Sequence, residues 1–321
     1  IRRQRQMCIR DRDRDVARYL NSDAIPLYNP IEEYLNSTGH WDGKDRIRAL
    51  ADLVPCNNPY WRELFYRWFL SMTAHWQNID RQHGNNTSPL LVGAQGYRKS
   101  TFCRILLPPE LRCYFYTKTN SDRLNKDDLF SLTEFALICF EELDGMRPAE
   151  LNQLKAMVTM PYVNERAAYG RNKERHPHIA SFCGTGNNVQ FLTDPTGNRR
   201  WLPFEVSQIR DPHLHAIPYE LVYSQAYALW KSGFCHWFSQ EEIRKLNMHN
   251  SRFEVPNLEE DLIRTHFRKP FEGEAGIFVT AADILEQISS CLRYPLSPNK
   301  IGRIMAGLEF ESIRYKGKRG Y

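Results

Sequence analysis

The amino-acid sequence predicts an α/β fold with a largely parallel sheet, built around a P-loop NTPase core. Between residues 86 and 206, short apolar runs alternate with segments of helical periodicity, as expected for helices that connect parallel strands. The first apolar run leads directly into a glycine-containing turn, a lysine and two hydroxyl residues, which is the order of a phosphate-binding loop. The candidate strands are residues 90–92, 113–116, 135–140, 179–184 and 201–204.

Helical patterns lie on both sides of this core. Asn29 followed by Pro30 is typical of a helix start. Between residues 61 and 72, apolar residues recur at spacings of three and four, which predicts a long helix with one face against the core. The predicted organisation is a helical region at 13–85, the P-loop core at 86–206, a helical extension at 207–252 and a separate domain at 253–321.

The first twelve residues need a separate interpretation. Residues 2–12, RRQRQMCIRDR, match one reading frame of a common sequencing-library adapter, so residues 1–12 are interpreted as a translation artefact. The alternative is a natural basic tail. The segment holds five Arg and one Asp, so without it the net charge of +5 falls to +1. Any argument for a nucleic-acid partner must therefore come from local clusters of charge.

Hydropathy and cysteine usage favour a cytoplasmic protein with no membrane span. No apolar run approaches the roughly 20 residues that cross a bilayer. The cysteines are scattered, form no CxxC pair and in several cases lie in apolar runs, which predicts buried, reduced thiols. His176 and His178 lack partner ligands at the spacing of a metal site.

The stretch GAQGYRKST, residues 93–101, is the candidate nucleotide site. In such a loop the backbone N–H groups face the phosphates, the lysine reaches the β- and γ-phosphates and the next hydroxyl holds Mg²⁺. Lys99 and Ser100 occupy these two positions. The residues predicted to bind ATP are Gly93, Gly96, Arg98, Lys99, Ser100 and Thr101, and Ser100 is also a predicted Mg²⁺ ligand.

Arg98 departs from the loop pattern, because it stands where the last glycine is expected. Two outcomes are open. With a negative φ at this position, the arginine costs little and its guanidinium can add a phosphate contact. With a positive φ, the backbone is strained by about 1 kcal/mol or more.

Paired carboxylates follow the apolar run at residues 135–140. Glu141 is the predicted second Mg²⁺ ligand, directly or through water, and Glu142 is predicted to orient the attacking water in ATP hydrolysis. The alternative is a plain acidic turn, since Asp144 makes this corner acidic in any case.

Two further polar segments complete the candidate site. Asn187 ends the apolar run at 179–184 and is predicted to sense the γ-phosphate or the attacking water. Arg199 and Arg200 lie in a turn just before the last strand. An arginine supplied to a neighbouring subunit's phosphates raises the rate by roughly 10³ to 10⁵ in comparable enzymes, while the alternative for each is a surface ion pair.

In this order, the motifs resemble the virulence-associated E family of P-loop ATPases, which are related to superfamily 3 helicases of viruses and mobile elements. The resemblance covers roughly residues 28–206 and rests on NPIEEYLNSTGHWDGKDRI, GAQGYRKSTF, LICFEELD, YGRNKERHPHIASFCGTGN and DPTGNRRWLPFEV. It implies an AAA+-like core in which Lys99, Ser100, Glu141, Glu142 and Asn187 serve the nucleotide. It also implies that Arg199 or Arg200 acts across a ring interface. This chain departs from the pattern at Arg98, and at Gly186, where a second threonine is expected.

The same resemblance implies that the basic segment between the acidic pair and Asn187 binds DNA. In a ring helicase, a hairpin at this place lines the central channel and holds the strand backbone through cations and a stacked aromatic. The predicted DNA contacts are Tyr169, Arg171, Lys173 and Arg175. The alternative is a solvated basic loop.

The C-terminal region has the layout of a winged helix, with three helical segments followed by a basic hairpin, RYKGKRGY. A module that docks on another protein is the alternative. We expect this domain to be truncated. The residues predicted to face DNA are Lys300, Arg303, Lys316, Lys318 and Arg319.

Together these patterns predict an ATP- and Mg²⁺-dependent helicase or translocase that acts on DNA, single-stranded DNA in particular, during replication of a mobile element or phage. A ring-shaped homo-oligomer and a primase domain or partner outside this sequence are expected. The alternative from another class is a DNA-binding or initiation module that no longer hydrolyses ATP, with Arg98 as the mark of decay. A small-molecule kinase is disfavoured, because it explains neither Asn187 nor the arginine turn.

Overall fold

The computed structural model describes the chain apart from residues 1–12, 17, 21, 23, 26–27, 78–83, 120–125, 167–172, 193–197, 213, 256–257, 272 and 290–296. Its contacts divide the chain into two compact units, Ile1–Phe253 and Glu254–Tyr321. In the described part, no helix combines the length and the hydropathy needed to cross a membrane.

A five-stranded parallel sheet forms the centre of the first unit, in the order β2-β3-β6-β1-β7. The strands of this unit are β1 (Ser88–Val92), β2 (Phe115–Lys118), β3 (Leu137–Phe140), β4 (Tyr162–Glu165), β5 (Glu174–Pro177), β6 (Ser181–Gly186) and β7 (Trp201–Glu205). The predicted α/β class with a parallel sheet is therefore confirmed. The predicted starts of β2, β3 and β6 are each wrong by two residues. Cys113 and Tyr114 end a 3-10 helix instead, and β3 and β6 begin at Leu137 and Ser181.

The helices of the first unit begin and end largely where local signals place them. They are α1 (Pro30–Ser37), α2 (Ile47–Ala51), α3 (Trp61–Trp76), α4 (Lys99–Ile105), α5 (Lys126–Glu134), α6 (Pro148–Val158), α7 (Tyr219–Lys231) and α8 (Gln240–Asn250), and helical backbone also occurs at 13–16 and 18–20. At α1 the Asn29 side chain accepts hydrogen bonds from the N–H groups of Ile31 and Glu32, as its cap position predicts. At α8, Ser239 and Glu242 form a capping box.

Both faces of the sheet are buried. Successive residues of β1 point to opposite faces, so Leu91 joins one apolar cluster while Leu90 and Val92 join the other. The first cluster contains the aromatic face of α3 together with parts of α1, α2, α4 and α7, and the second contains α6. Near-continuous burial on both faces is typical of parallel sheets covered by helices.

An antiparallel hairpin of β4 and β5 stands between the acidic corner and β6, with Tyr162 opposite Pro177 and Glu165 opposite Glu174. The predicted DNA-binding segment lies at this hairpin. Lys173 and Arg175 are exposed, and the Arg175 guanidinium lies 3.5 Å from the centre of the Tyr162 ring. Tyr169 and Arg171 lie outside the described residues.

The second unit contains α9 (Leu258–His266), α10 (Ala281–Ser289), α11 (Pro298–Gly307), β8 (Ile313–Tyr315) and β9 (Lys318–Gly320). Its small core is rich in isoleucine from all three helices. Val279 and Tyr321 exchange two backbone hydrogen bonds, of 3.1 and 2.8 Å, so the hairpin is held at its base by the segment before α10. The predicted order of helices and hairpin is present, and the winged-helix function of this unit stays a prediction.

Candidate nucleotide site

The loop between β1 and α4 is held closely against its neighbours. The Gly93 N–H donates to the Gly186 carbonyl over 3.1 Å, which joins the start of the loop to the end of β6. A Cβ at Gly93 would lie 2.5 Å from the backbone oxygen of Val206, so a side chain at this position collides with main chain. The loop glycine is therefore required by a close backbone approach.

Arg98 has a left-handed backbone, with φ 60° and ψ 26°. Of the two outcomes left open by the sequence, the structure has the positive φ. This backbone conformation costs about 1–2 kcal/mol for a residue with a Cβ. Its guanidinium donates to the Ile209 carbonyl over 3.3 Å and forms an ion pair of 3.3 Å with Asp211. Ile209 in turn donates its N–H to the Tyr97 carbonyl over 3.2 Å. Arg98 thus ties the loop to the segment that follows β7.

Lys99 points across the loop toward β6. Its ammonium donates to the carbonyl of Gly93, to the carbonyl of Ala94 over 2.9 Å and to Oδ1 of Asn187 over 3.1 Å. Lys99 is buried, and burial lowers its pKa, while the charge on Asp144 acts in the opposite direction. The structure therefore brings together the predicted phosphate-binding lysine and the predicted sensing asparagine.

Asp144 holds the tip of β6 in place and is the residue that sequence reasoning missed. Its carboxylate accepts hydrogen bonds from the N–H groups of Asn187 and Asn188, at 3.1 and 3.0 Å, and from the Asn188 side chain at 2.6 Å. A Cβ at Gly186, where threonine was expected, would lie 3.2 Å from Oδ1 of Asp144, so a side chain there would press on this carboxylate. The sequence shows that this turn is acidic, but it does not show that Asp144 binds Asn187 and Asn188.

The other predicted nucleotide contacts lie at the same edge of the sheet. Ser100 is exposed in the first turn of α4, with Thr101 half-buried beside it. Glu141 directly follows β3, is half-buried and donates its N–H to the Lys118 carbonyl over 3.0 Å. Glu142 is exposed and has a left-handed backbone with φ 54°. In a parallel sheet all strands end on the same side, so these residues lie at the carboxyl end of the sheet, as the loop does.

Arg199 and Arg200 lie at the opposite end of the sheet, where the strands begin. They sit in a short 3-10 turn before β7, whose first residue, Trp201, is paired with Ser88 at the amino end of β1. The five residues of β1 separate this turn from the loop by about 16 Å at the rise of an extended strand. Arg199 is exposed and Arg200 half-buried. The structure therefore does not bring the arginines to the loop of their own chain.

Helix α8 fixes the position of this arginine turn. The Asn250 side-chain amide donates to the carbonyls of Asn198 and Trp201, over 2.7 and 2.9 Å. His249 binds the Pro203 carbonyl through Nε2 over 2.8 Å, and burial lowers its pKa. Helix α8 thus holds the arginine turn through Asn250 and the following strand through His249.

Three thiols meet behind the loop, from Cys103 on α4, Cys139 on β3 and Cys183 on β6. Cys139 and Cys183 are register partners on adjacent strands, and the three sulfur atoms lie within 4.8 Å of one another. All three are buried, as predicted from their apolar surroundings. Packing as small apolar side chains accounts for their presence in the core.

The predicted DNA contacts of the second unit are on its surface. Arg303, Lys316, Lys318 and Arg319 are exposed. The ammonium of Lys300 pairs with the carboxylate of Glu259, whose side chain is only 5% exposed. Lys300 therefore helps to hold α11 against α9, and its predicted contact with DNA has to compete with this ion pair.

The fold and the loop define a class of α/β proteins with a parallel sheet and polar residues gathered at its carboxyl edge. Residues 35–255 match the virulence-associated protein E-like domain. The match covers more than half of the chain, and the protein belongs to this family. No curated protein matches the chain.

Among solved structures, the chain is similar to the A form apo structure of the NrS-1 C terminal region-CTR(305-718), with a TM-score of 0.43 and 12% identity over 92% of this chain and 74% of that one. It is also similar to the apo structure of the NrS-1 C terminal region (305-718), with a TM-score of 0.45 and 12% identity over 92% of this chain and 76% of that one.

Proposed function

We propose that this chain binds and hydrolyses ATP and uses the reaction to move along or remodel DNA during replication of a mobile genetic element. The observation that carries the proposal is the meeting of Lys99, Asn187 and Asp144 at the carboxyl edge of the sheet. It joins the glycine-containing loop to the acidic corner and the β6 tip, at the edge where parallel sheets bind ligands. Membership of the virulence-associated protein E-like family and the motif resemblance to helicases support the replication role.

The residues at this edge fit a magnesium nucleotide. Lys99 is already placed inside the loop, and its three donors can exchange backbone carbonyl acceptors for phosphate oxygens. Ser100 and Glu141 offer the oxygen ligands that Mg²⁺ prefers. When bound, Mg²⁺ would supply positive charge against the phosphates. Glu142 would orient the attacking water, and Asn187, fixed by Asp144, would hold the water or the terminal phosphate.

The position of the arginines supports a role between subunits. Arg199 and Arg200 lie at the end of the sheet that is remote from the loop of their own chain. Either one can therefore reach a nucleotide only on a neighbouring copy of the chain. That arrangement requires a homo-oligomer, and a closed ring is the form that serves every site equally. The basic hairpins of both units would then supply the DNA contacts.

Hydrolysis of ATP by the full chain, with and without single-stranded DNA, tests the proposal. We expect turnover that DNA stimulates and that Lys99→Ala reduces by about 100-fold or more, as for loss of a charge that stabilises the transition state. Lys44→Ala, which removes an exposed lysine outside the site, is the matched control and should keep full activity. Equal turnover in Lys99→Ala and in the unchanged chain would overturn the proposal.

A second candidate, a DNA-binding module that retains the loop but not hydrolysis, is favoured by the left-handed Arg98 and its tether to Asp211. In this case the loop would bind nucleotide weakly or not at all. Nucleotide binding measured by calorimetry, alongside the hydrolysis assay, separates the two candidates. Binding of DNA without turnover above that of Lys99→Ala would favour the module.

A further inference from the structure

The tip of the β8–β9 hairpin carries a concentration of positive charge. Arg314 and Arg319 are directly opposite each other across the two strands, and Lys318 lies opposite Tyr315. Lys316 stands at the turn between them, and residues 312–321 contain no carboxylate. Within the described residues, none of these four cations forms an ion pair with a carboxylate. Like charges directly opposite in a ladder destabilise it, so the pair Arg314 and Arg319 favours an anionic partner.

One of these four cations, Lys316, occupies an unfavourable backbone position in the turn. Lys316 and Gly317 both have positive φ, of 46° and 78°, which defines the two-residue turn of a tight hairpin. Asparagine, aspartate or glycine is preferred where Lys316 stands, because a Cβ is disfavoured in this conformation. The chain thus places an exposed lysine in the turn of the hairpin, against local preference. A polyanion would make use of that charge.

The other face of the hairpin carries Ile313 and Tyr315, with Lys318 directly opposite Tyr315. Side chains alternate along β8, so Ile313 and Tyr315 share one face while Arg314 points to the other. Tyr315 is 54% exposed, and its ring lies 5.5 Å from that of Phe278 at an angle of 53°. Lys316 Nζ is 5.3 Å from the same ring. An exposed aromatic ring among cations is the arrangement that binds an unpaired base and its backbone.

We propose that the β8–β9 hairpin binds single-stranded DNA, with Tyr315 stacked on an unpaired base and the neighbouring Lys316 and Lys318 in contact with phosphates. The inference rests on the proposed action on DNA and specifies the form of DNA that this hairpin takes. A uniform duplex offers phosphates to the cations but no free base face to Tyr315, because its bases are paired and stacked. The preference for single strands therefore resides in Tyr315, and the general affinity resides in the two lysines beside it.

Fluorescence anisotropy of the full chain with a labelled oligothymidylate and with a blunt duplex of equal length tests this assignment. Tyr315→Ala should weaken binding to the single strand about 5- to 100-fold, the effect of losing one stacked base, and leave binding to the duplex nearly unchanged. Tyr315→Phe retains the ring and should bind like the unchanged chain. Tyr60→Ala, which removes a tyrosine that is 58% exposed in the first unit, is the matched control.

Replacing Lys316 and Lys318 together by Gln should weaken binding to both forms of DNA and lower the salt slope by about 0.7 to 0.9 per lost cation. A 2-aminopurine base placed in the oligonucleotide reports stacking directly, and its quenching should disappear in Tyr315→Ala. Equal losses on single strand and duplex in Tyr315→Ala, or no loss on either, would overturn the assignment. Loss of DNA binding in Tyr60→Ala of the same size would also do so.

These results are independent of ATP hydrolysis. If the chain shows no turnover but Tyr315→Ala selectively loses the single strand, the proposed ATPase function fails and the hairpin assignment stands. If turnover is present and DNA-stimulated but Tyr315→Ala binds normally, the hairpin assignment fails alone. Circular dichroism of each variant establishes that the fold is intact.

Discussion

Arg98 in the loop and Lys316 in the hairpin have the same unfavourable backbone conformation, with φ of 60° and 46°, but opposite surroundings. Arg98 is compensated inside the protein, through the carbonyl of Ile209 and the carboxylate of Asp211. Lys316 is exposed at the end of a hairpin, with its ammonium 5.3 Å from the centre of the Tyr315 ring. The comparison indicates that side-chain contacts within the protein offset the strain at Arg98, whereas among the described residues no ion pair does so at Lys316.

The largest difference between the two regions should appear when an alanine replaces a glycine in each. Gly93→Ala places a Cβ 2.5 Å from the Val206 carbonyl oxygen, so the main chain must move. We expect a loss of about 3 kcal/mol in stability, the upper range for overpacking, together with loss of nucleotide binding. Gly317→Ala meets nothing within 4 Å and suffers only from its φ of 78°, at about 1 kcal/mol.

Hydrogen exchange measured by mass spectrometry on peptides from each unit separates these two effects. Gly93→Ala should increase exchange across β1, β6 and β7, and Gly317→Ala only in the hairpin. Similar, small changes in both variants would show that the loop is not held as tightly as its contacts indicate.

The next largest effect concerns Asp144, the anchor of the β6 tip. Asp144→Asn replaces one acceptor oxygen by a donor amide, so at least one of the hydrogen bonds to Asn187 and Asn188 is lost. We expect kcat for ATP to fall about 10- to 100-fold with little change in KM, since Asn187 would act mainly in the transition state. Asn188→Ala, which removes only the side-chain partner, should have a smaller effect. A rise in KM with unchanged kcat would contradict this role.

The sequence predicted the five strands, and the loop between β1 and α4, because their apolar runs and turn residues are local signals. It did not predict the position of Asp144 relative to Asn187, since 43 residues separate them and only the sheet order brings them together. Sequence also left the backbone of Arg98 open. That conformation depends on Ile209 and Asp211, which follow the loop by more than 100 residues.

Lowering the pH should reduce the stability of the first unit through a histidine in its interior. His75 is half-buried at the end of α3, with its ring 4.9 Å from that of His178, and desolvation lowers its pKa to about 3. In the unfolded chain the pKa is near 6.5, so below that pH the unfolded state takes up a proton that the folded state does not. Stability is therefore fully present above about pH 6.5 and falls toward pH 3, by up to about 1.4 kcal/mol per pH unit.

Urea unfolding at pH 7 and pH 5.5 measures this loss, and His75→Gln provides the control because it keeps an acceptor for the Asn85 N–H but cannot titrate. The variant should show a smaller decrease between the two pH values. Some decrease should remain, since burial also lowers the pKa of His178. An equal decrease in both proteins would exclude His75 as a source.

The smallest effects are expected when glycine replaces each left-handed residue, and their signs test the opening comparison. Lys316→Gly removes strain and no ion pair, so the hairpin should gain about 1 kcal/mol while the salt slope of DNA binding falls by roughly 1. Arg98→Gly removes the same strain but also the ion pair with Asp211 and the hydrogen bond to Ile209, so the two changes should nearly cancel. Local hydrogen exchange gives both values. A clear gain of stability in Arg98→Gly would show that its contacts do not offset the strain, and the loop and the hairpin would then be alike.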